Sequence, residues 1–154
     1  MKLKAVKFRG YFLFFVLILF FTVSVAGCSK LPVEHEVVTP SDGKIVLPLE
    51  KVGDGKVHFF TYKKSGKRIN FFVRTDGEGD LSAYFDACYT CYKFKKGYRT
   101  EGTDLICNEC NLKFGISEKI WENKDCSPIM FKSHIENRNL IIEASTLEKG
   151  ARLF

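Results

Sequence analysis

The sequence predicts a mainly β protein, a small antiparallel sheet domain in which two Cys-x-x-Cys knuckles join a hairpin. Three short runs rich in β-branched and aromatic residues, KIVLPLE, KVHFFTYK and INFFVRT, occupy 44–50, 56–63 and 69–75. The segments GDG, KSGK and DGEGD follow them in turn and have the composition of turns. This alternation of short strands and turns is typical of a β meander.

Further runs extend the predicted sheet. LSAYFDA at 81–87 leads directly into Cys88, and FKSHI at 131–135 and NLIIEA at 139–144 bracket a turn late in the chain. In KVHFFTYK and INFFVRT, aromatic residues occupy both odd and even positions. Because successive side chains of a strand point to opposite faces, we expect both faces of the sheet to be covered.

The N-terminus has the features of a signal peptide. The positively charged stretch MKLKAVKFRG precedes an apolar run of 16 residues, from Tyr11 to Ala26, which is shorter than the roughly 20 residues of a membrane-spanning helix. Gly27 and Cys28 follow, and small residues before a cysteine resemble the lipobox of bacterial lipoproteins. We expect cleavage before Cys28, which then carries the lipid; the alternative is an uncleaved anchor with an incidental cysteine. Either arrangement tethers the domain to a membrane outside the cytoplasm, in the cell envelope.

The predicted domain order is a lipoprotein signal peptide at 1–27, a lipid-anchored spacer at 28–42 and a β-rich metal-binding domain at 43–154. The spacer contains two prolines and several charges, without a sustained apolar period. The net charge of +6 includes four basic residues of the signal peptide, and their removal leaves 20 basic against 18 acidic residues, or +2. This near balance argues against nucleic-acid binding.

Two cysteine pairs have the spacing of a metal site. Cys88 and Cys91 are separated from Cys107 and Cys110 by 15 residues. A two-residue gap lets both sulfurs of a tight turn face one ion, and a hairpin-length insert brings the second turn opposite the first. The four thiolates therefore predict a zinc-ribbon-like or rubredoxin-like metal centre.

Oxidised cysteines are the alternative to a metal, because exported proteins form disulfides. With Cys28 lipidated, five thiols remain, so a disulfide framework leaves one cysteine free. Cys126 and His58 are candidate additional ligands, and Cys126 is also a candidate resolving thiol or a small buried residue. The single histidines His35 and His134 are expected to be structural or solvated.

Four segments together resemble the cysteine domain of the FtrD-like membrane iron-sulfur protein family: FDACYTC, KGYRTEG, LICNEC and CSPI. The resemblance covers roughly 43–145. Family members often carry this domain after a bundle of transmembrane helices, whereas this chain has a lipoprotein signal. The family pattern also has glycine where this chain has Tyr92, and a glycine pair in place of Lys124 and Asp125.

The resemblance implies a membrane-anchored iron-sulfur or metal-binding protein that serves iron transport and exchanges electrons or metal with a membrane permease. The residues themselves leave the cofactor open between an iron-sulfur cluster and a mononuclear iron or zinc ion on four cysteines. Two alternative functions are a structural-zinc module that docks on a membrane partner and a thiol oxidoreductase. No motif for hydrolase or transferase chemistry stands out, so we expect an electron carrier or metal-binding protein rather than an enzyme.

Overall fold

The structure, a computed structural model, describes residues 33–115 and 126–154. The predicted signal peptide and Cys28 lie outside the described residues. From Val33 onward the described chain belongs to one compact unit, Val33–Phe154, so the C-terminal part of the predicted spacer lies in the same unit as the predicted metal-binding domain.

The described residues contain eleven strands and two short α-helices. In chain order they are β1 (Glu36–Val38), β2 (Lys44–Pro48), α1 (Leu49–Val52), β3 (Val57–Lys64), β4 (Lys67–Thr75), β5 (Leu81–Cys88), β6 (Tyr98–Glu101), β7 (Asp104–Cys107), β8 (Lys113–Phe114), β9 (Pro128–Phe131), β10 (His134–Glu136), β11 (Asn139–Glu143) and α2 (Ala144–Lys149). Short 3-10 helices at Tyr92–Phe94 and Ala151–Leu153 complete the set. The prediction of a mainly β protein with small antiparallel sheets is confirmed.

The central sheet has five strands in the order β1-β3-β4-β5-β9. β3, β4 and β5 form the meander that the sequence predicts, and β9 pairs antiparallel with β5. β1 pairs parallel with β3, with Glu36 opposite Phe60 and Val38 opposite Tyr62. The segment predicted as a spacer therefore contributes an edge strand, which its short apolar stretch and two prolines did not indicate.

Both faces of the central sheet are covered, as the two-sided aromatic pattern predicts. One face carries the larger core, built from Phe60, Phe71, Phe85 and Phe131 together with aliphatic residues. The opposite face carries a smaller core that includes Phe59, Phe72, Tyr84, Tyr98, Leu105, Phe114 and three of the cysteines. Adjacent phenylalanines of β3 and β4 thus pack into different cores because side chains alternate along a strand.

Two three-stranded antiparallel sheets flank the central one. In the order β10-β11-β2, the first places Ile45, Leu47, Leu140 and Ile142 in the larger core, together with Leu147 of α2. The predicted run at 131–135 is divided between the end of β9 and the start of β10. The second sheet, in the order β6-β7-β8, supplies Tyr98, Leu105 and Phe114 to the smaller core and lies between the two cysteine pairs in sequence.

Candidate metal centre

β5 carries the first cysteine into the smaller core. Cys88 is the last residue of this strand and is buried. The backbone amide of Cys91 donates to the sulfur of Cys88 at 3.4 Å, and the amide of Phe94 donates to the carbonyl of Cys91 at 3.0 Å. These bonds close a tight turn that directs both sulfurs of the pair toward the same side.

The second pair follows β7 in a similar way. Cys107 is the last residue of the strand, and its carbonyl accepts from the amide of Asn111 at 3.0 Å. Asn111 has a left-handed backbone with φ 57°, a conformation that asparagine tolerates better than most residues. The β6–β7 hairpin pairs Tyr98 with Cys107, so the predicted hairpin insert returns the chain to the first pair.

Cys126 reaches the same place through the pairing of β5 with β9. Pro128 is the register partner of Cys88, and the amide of Tyr89 donates to the carbonyl of Ser127 at 2.9 Å. The hydroxyl of Tyr98 donates to the carbonyl of Cys126 at 2.8 Å. The late cysteine is therefore held beside the first pair by contacts from two separate strands.

The structure brings together all five cysteines of the described residues. Two groups of three sulfurs form, each with its sulfurs within 4.8 Å of one another: Cys88, Cys91 and Cys126 in one, and Cys91, Cys107 and Cys110 in the other. Cys88, Cys91 and Cys107 are buried, Cys126 is half-buried, and Cys110 is exposed. All five are free thiols. Their role as ligands, predicted from the spacing, stays a prediction.

Burial keeps most of these thiols protonated when no metal is bound. It raises the pKa of Cys91 to about 12, with a further contribution from the neighbouring Cys88. Burial also raises the pKa of Cys107 to about 12, although the backbone amides of Cys110 and Glu109 partly offset it. The pKa of Cys126 rises to about 12, first through its hydrogen bond with Cys110 and then through burial.

Cys110 differs from these thiols. Burial raises its pKa, but hydrogen bonds from the Leu112 amide and from the thiols of Cys126, Cys107 and Cys91 outweigh burial and leave the pKa below the ordinary value. Hydrogen bonds to a thiolate stabilise the charged form. Cys110 is therefore the exposed thiol of the cluster and the one whose pKa lies below its ordinary value.

A buried carboxylate beside the cysteines is a feature that the sequence analysis missed. Asp86 lies two residues before Cys88 and so on the same face of β5. Its carboxylate accepts from the Tyr98 amide at 2.6 Å and contacts Nε2 of His35 at 2.9 Å. A Cβ added to Gly97 would come within 2.5 Å of this carboxylate. The signal in the sequence was a lone acid in the otherwise apolar run YFDAC.

The histidine on the cysteine side of the sheet is not the one that the sequence analysis selected as a candidate ligand. His58, the candidate ligand, belongs to neither sulfur group, and its Nε2 contacts Oδ1 of Asp54 at 2.6 Å. Its neighbour Phe59 packs on the cysteine side, so the alternation of β3 directs His58 to the other face. His35 stands on the cysteine side instead, with its ring 5.4 Å from that of Phe59.

The surface next to the first pair is aromatic and basic. Tyr89, Tyr92 and Phe94 are exposed, with Tyr89 67% and Phe94 51% accessible. Lys93 lies over the Phe94 ring, with its Nζ 5.3 Å from the ring centroid. Exposed aromatic groups clustered around a site are typical of a contact surface for another molecule.

The donor set fits the groups that thiolates bind. Iron-sulfur clusters, single iron ions and zinc are all held by cysteine sulfurs, and five sulfurs exceed the four that any of these needs. The chemistry of the site therefore agrees with an iron-sulfur or metal centre without selecting among them.

Comparisons with known proteins agree with this chemistry. Within the described residues, none of the helices has the length and apolar character needed to cross a membrane. The chain gives no match among curated proteins. Residues 52–154 match the family described as "Membrane iron-sulfur containing protein FtrD-like", a range that contains all five cysteines of the site. The chain therefore belongs to the FtrD-like family of membrane iron-sulfur containing proteins.

Proposed function

We propose that this chain is an extracytoplasmic, lipid-anchored protein whose five-thiol cluster holds an iron-sulfur or iron centre and that serves iron transport as an accessory electron-transfer or metal-handling component. The observation that carries the proposal is the meeting of five thiols from three separate segments of the chain. Family membership supports iron as the metal and a membrane as the location.

The protein's own groups favour a thiolate centre. The Leu112 amide hydrogen-bonds the sulfur of Cys110, and the amides of Glu109 and Cys110 hydrogen-bond that of Cys107. Such amide bonds stabilise the negative charge that the sulfurs carry once the thiols have lost their protons to binding. An iron-sulfur cluster bound here supplies one-electron exchange, with a potential tuned by these hydrogen bonds and by solvent exposure.

The uneven exposure of the thiols suits exchange with a partner. Cys88, Cys91 and Cys107 are buried and exclude water from one side of the site, whereas Cys110 reaches the surface. Tyr89, Tyr92 and Phe94, which neighbour the first pair in sequence, are exposed as well. A membrane permease or membrane redox protein that contacts Cys110 would approach the centre from its exposed side.

Anchoring places the site next to such a partner. Cys28, the predicted lipid attachment site, precedes the described unit at Val33 by only five positions. A lipid at Cys28 would hold the domain close to the membrane surface, where a permease is accessible.

The proposal is tested by iron uptake in the native host. Cells that produce the wild-type protein, the Cys107→Ser variant or the Cys28→Ser variant are compared for uptake of radioactive iron at equal protein levels. The proposal expects reduced uptake with both variants, because one loses the metal centre and the other its membrane anchor. Wild-type uptake with Cys107→Ser would exclude a role of the centre in iron transport.

A thiol oxidoreductase is a second candidate, favoured by one observation. Cys110 is exposed, has a lowered pKa and stands in a Cys-x-x-Cys pair with Cys107, and exposure and a lowered pKa both favour attack of a thiol on a disulfide. Reduction of a model disulfide such as insulin by the metal-free protein distinguishes the two functions. Turnover that is lost in Cys110→Ser favours the oxidoreductase, and no turnover favours the metal centre.

A further inference from the structure

The sulfurs of the site form two overlapping groups of three. Cys88, Cys91 and Cys126 make one group, and Cys91, Cys107 and Cys110 make the other, so that Cys91 belongs to both. The Cys-x-x-Cys spacing alone suggests one centre on four cysteines. The half-buried Cys126 adds the fifth sulfur and completes the first group.

The spacing within each group is near that of sulfurs that share one ion. Two thiolates bonded to the same ion at about 2.3 Å can lie at most about 4.6 Å apart. In a [4Fe–4S] cluster, by contrast, each of the four cysteines binds a different iron, and the sulfurs are separated by the cluster core. The sulfurs of each group lie within 4.8 Å of one another, which is close to the limit for direct sharing.

Each group offers three thiolates and no other ligand. Among the described residues, no histidine, aspartate or glutamate joins either group. Zinc prefers four ligands in a tetrahedron and would need a further donor at each position. A soft, singly charged ion that is satisfied by three thiolates fits the donor set better, and thiolate sulfur selects Cu(I) among such ions.

We propose that the five thiols, when no iron-sulfur cluster is present, bind two Cu(I) ions, one by Cys88, Cys91 and Cys126 and the other by Cys91, Cys107 and Cys110, with the sulfur of Cys91 bridging both. The five thiols release five protons, and no electrons are transferred. Five thiolates and two Cu(I) ions leave three negative charges on the site. The inference uses the thiol cluster of the proposed function but does not depend on iron transport.

Anaerobic titration with Cu(I) tests the inference. The reduced, metal-free full chain in detergent is titrated against a colorimetric Cu(I) chelator, and native mass spectrometry counts the bound ions. We expect two ions in the wild type, weaker binding of one ion in Cys126→Ser and in Cys107→Ser, and weaker binding of both ions in Cys91→Ser, which leaves two thiols in each group. Cys28→Ser is the matched control and should keep two ions.

Several results would overturn the inference. These are a wild-type chain that binds one ion or none, a Cys91→Ser variant that binds both ions as tightly as the wild type, and a Cys28→Ser variant that loses one. Because a variant can lose binding by misfolding, each is checked by circular dichroism, and Cys88→Ser must weaken the binding of one ion as Cys126→Ser does.

Iron and sulfide reconstitution on the same proteins separates this inference from the proposed function. A chain that takes up iron but not two Cu(I) ions contradicts this inference alone. Two Cu(I) ions without any iron contradict the proposed function alone.

Discussion

The carboxylate of Asp86 accepts a hydrogen bond from the backbone amide of Tyr98 at 2.6 Å, and this contact joins the strand that carries Cys88 to the hairpin that carries Cys107. Asp86 is only 7% exposed, and it also contacts Nε2 of His35 at 2.9 Å. The distance between the two cysteine pairs thus depends on a buried polar group as well as on apolar packing.

Asp86→Ala is expected to destabilise the protein by about 1 to 3 kcal/mol, because it leaves the buried Tyr98 amide without its acceptor. Urea unfolding of the reduced, metal-free protein measures the change. The control is Asp42→Asn, since Asp42 is exposed and asparagine tolerates its left-handed φ of 49°. Equal stability of Asp86→Ala and the control would contradict the structural role of Asp86.

Gly97→Ala and Gly102→Ala form a matched pair. Both glycines have a left-handed backbone, with φ 59° and 63°, so an alanine costs about 1 kcal/mol at either position. Only at Gly97 does the added methyl group meet the Asp86 carboxylate, at 2.5 Å, whereas nothing lies within 4 Å at Gly102. We therefore expect a loss of about 2 to 4 kcal/mol for Gly97→Ala. Similar losses in the two variants would show that Gly97 is not in close contact with Asp86.

Alkylation of the metal-free protein should follow exposure and pKa. Cys110 is exposed and its pKa is lowered, so iodoacetamide should modify it first near neutral pH. The buried Cys107, with its pKa raised to about 12, should react at least tenfold more slowly, because each unit of pKa changes the thiolate fraction about tenfold. Peptide mass spectrometry over time gives the order. Faster modification of Cys107 than of Cys110 would contradict the described arrangement.

Glu148 predicts a pH-dependent contribution to stability. Hydrogen bonds from Lys64 and then from Tyr62 hold the pKa of Glu148 below 4.5 in the folded protein. A carboxyl with a lowered folded pKa stabilises the protein above its unfolded pKa and loses this effect as the pH falls through the folded value. The stability difference between wild type and Glu148→Gln should therefore be present at pH 7 and disappear in strong acid. Exposed Glu50→Gln is the control, and a difference that persists in acid would contradict this account.

The lipid anchor has its own test. Cys28→Ser should abolish incorporation of a labelled fatty acid and prevent removal of the signal peptide, so the protein keeps the mass of residues 1–27. Gel analysis of labelled cells shows both effects. Labelling that persists in Cys28→Ser would place the lipid elsewhere or exclude it.

The strands of the meander could be predicted because each has a local signal, in β-branched and aromatic residues between turn segments. The spacing within and between the two cysteine pairs is also a local signal, and it predicts a metal site. The position of Cys126 has no local signal, because it depends on the pairing of β9 with β5, which brings Pro128 opposite Cys88. Long-range pairings of this kind are set by the assembled core.

The histidines show the same limit. His58 stood out because it lies in an aromatic strand, but its position in the alternation of β3 directs it away from the cysteines. His35 lies in a segment without periodicity, and only the parallel pairing of β1 with β3 brings it to Asp86.

The most direct test of the metal centre is quantification of iron and acid-labile sulfide, with a visible absorption spectrum, on the anaerobically purified full chain. The account predicts bound iron and a visible band that disappear in Cys107→Ser and persist in the matched control Cys28→Ser. A colourless protein without metal, or one in which four of the five thiols of the described domain are paired in two disulfides, would contradict it.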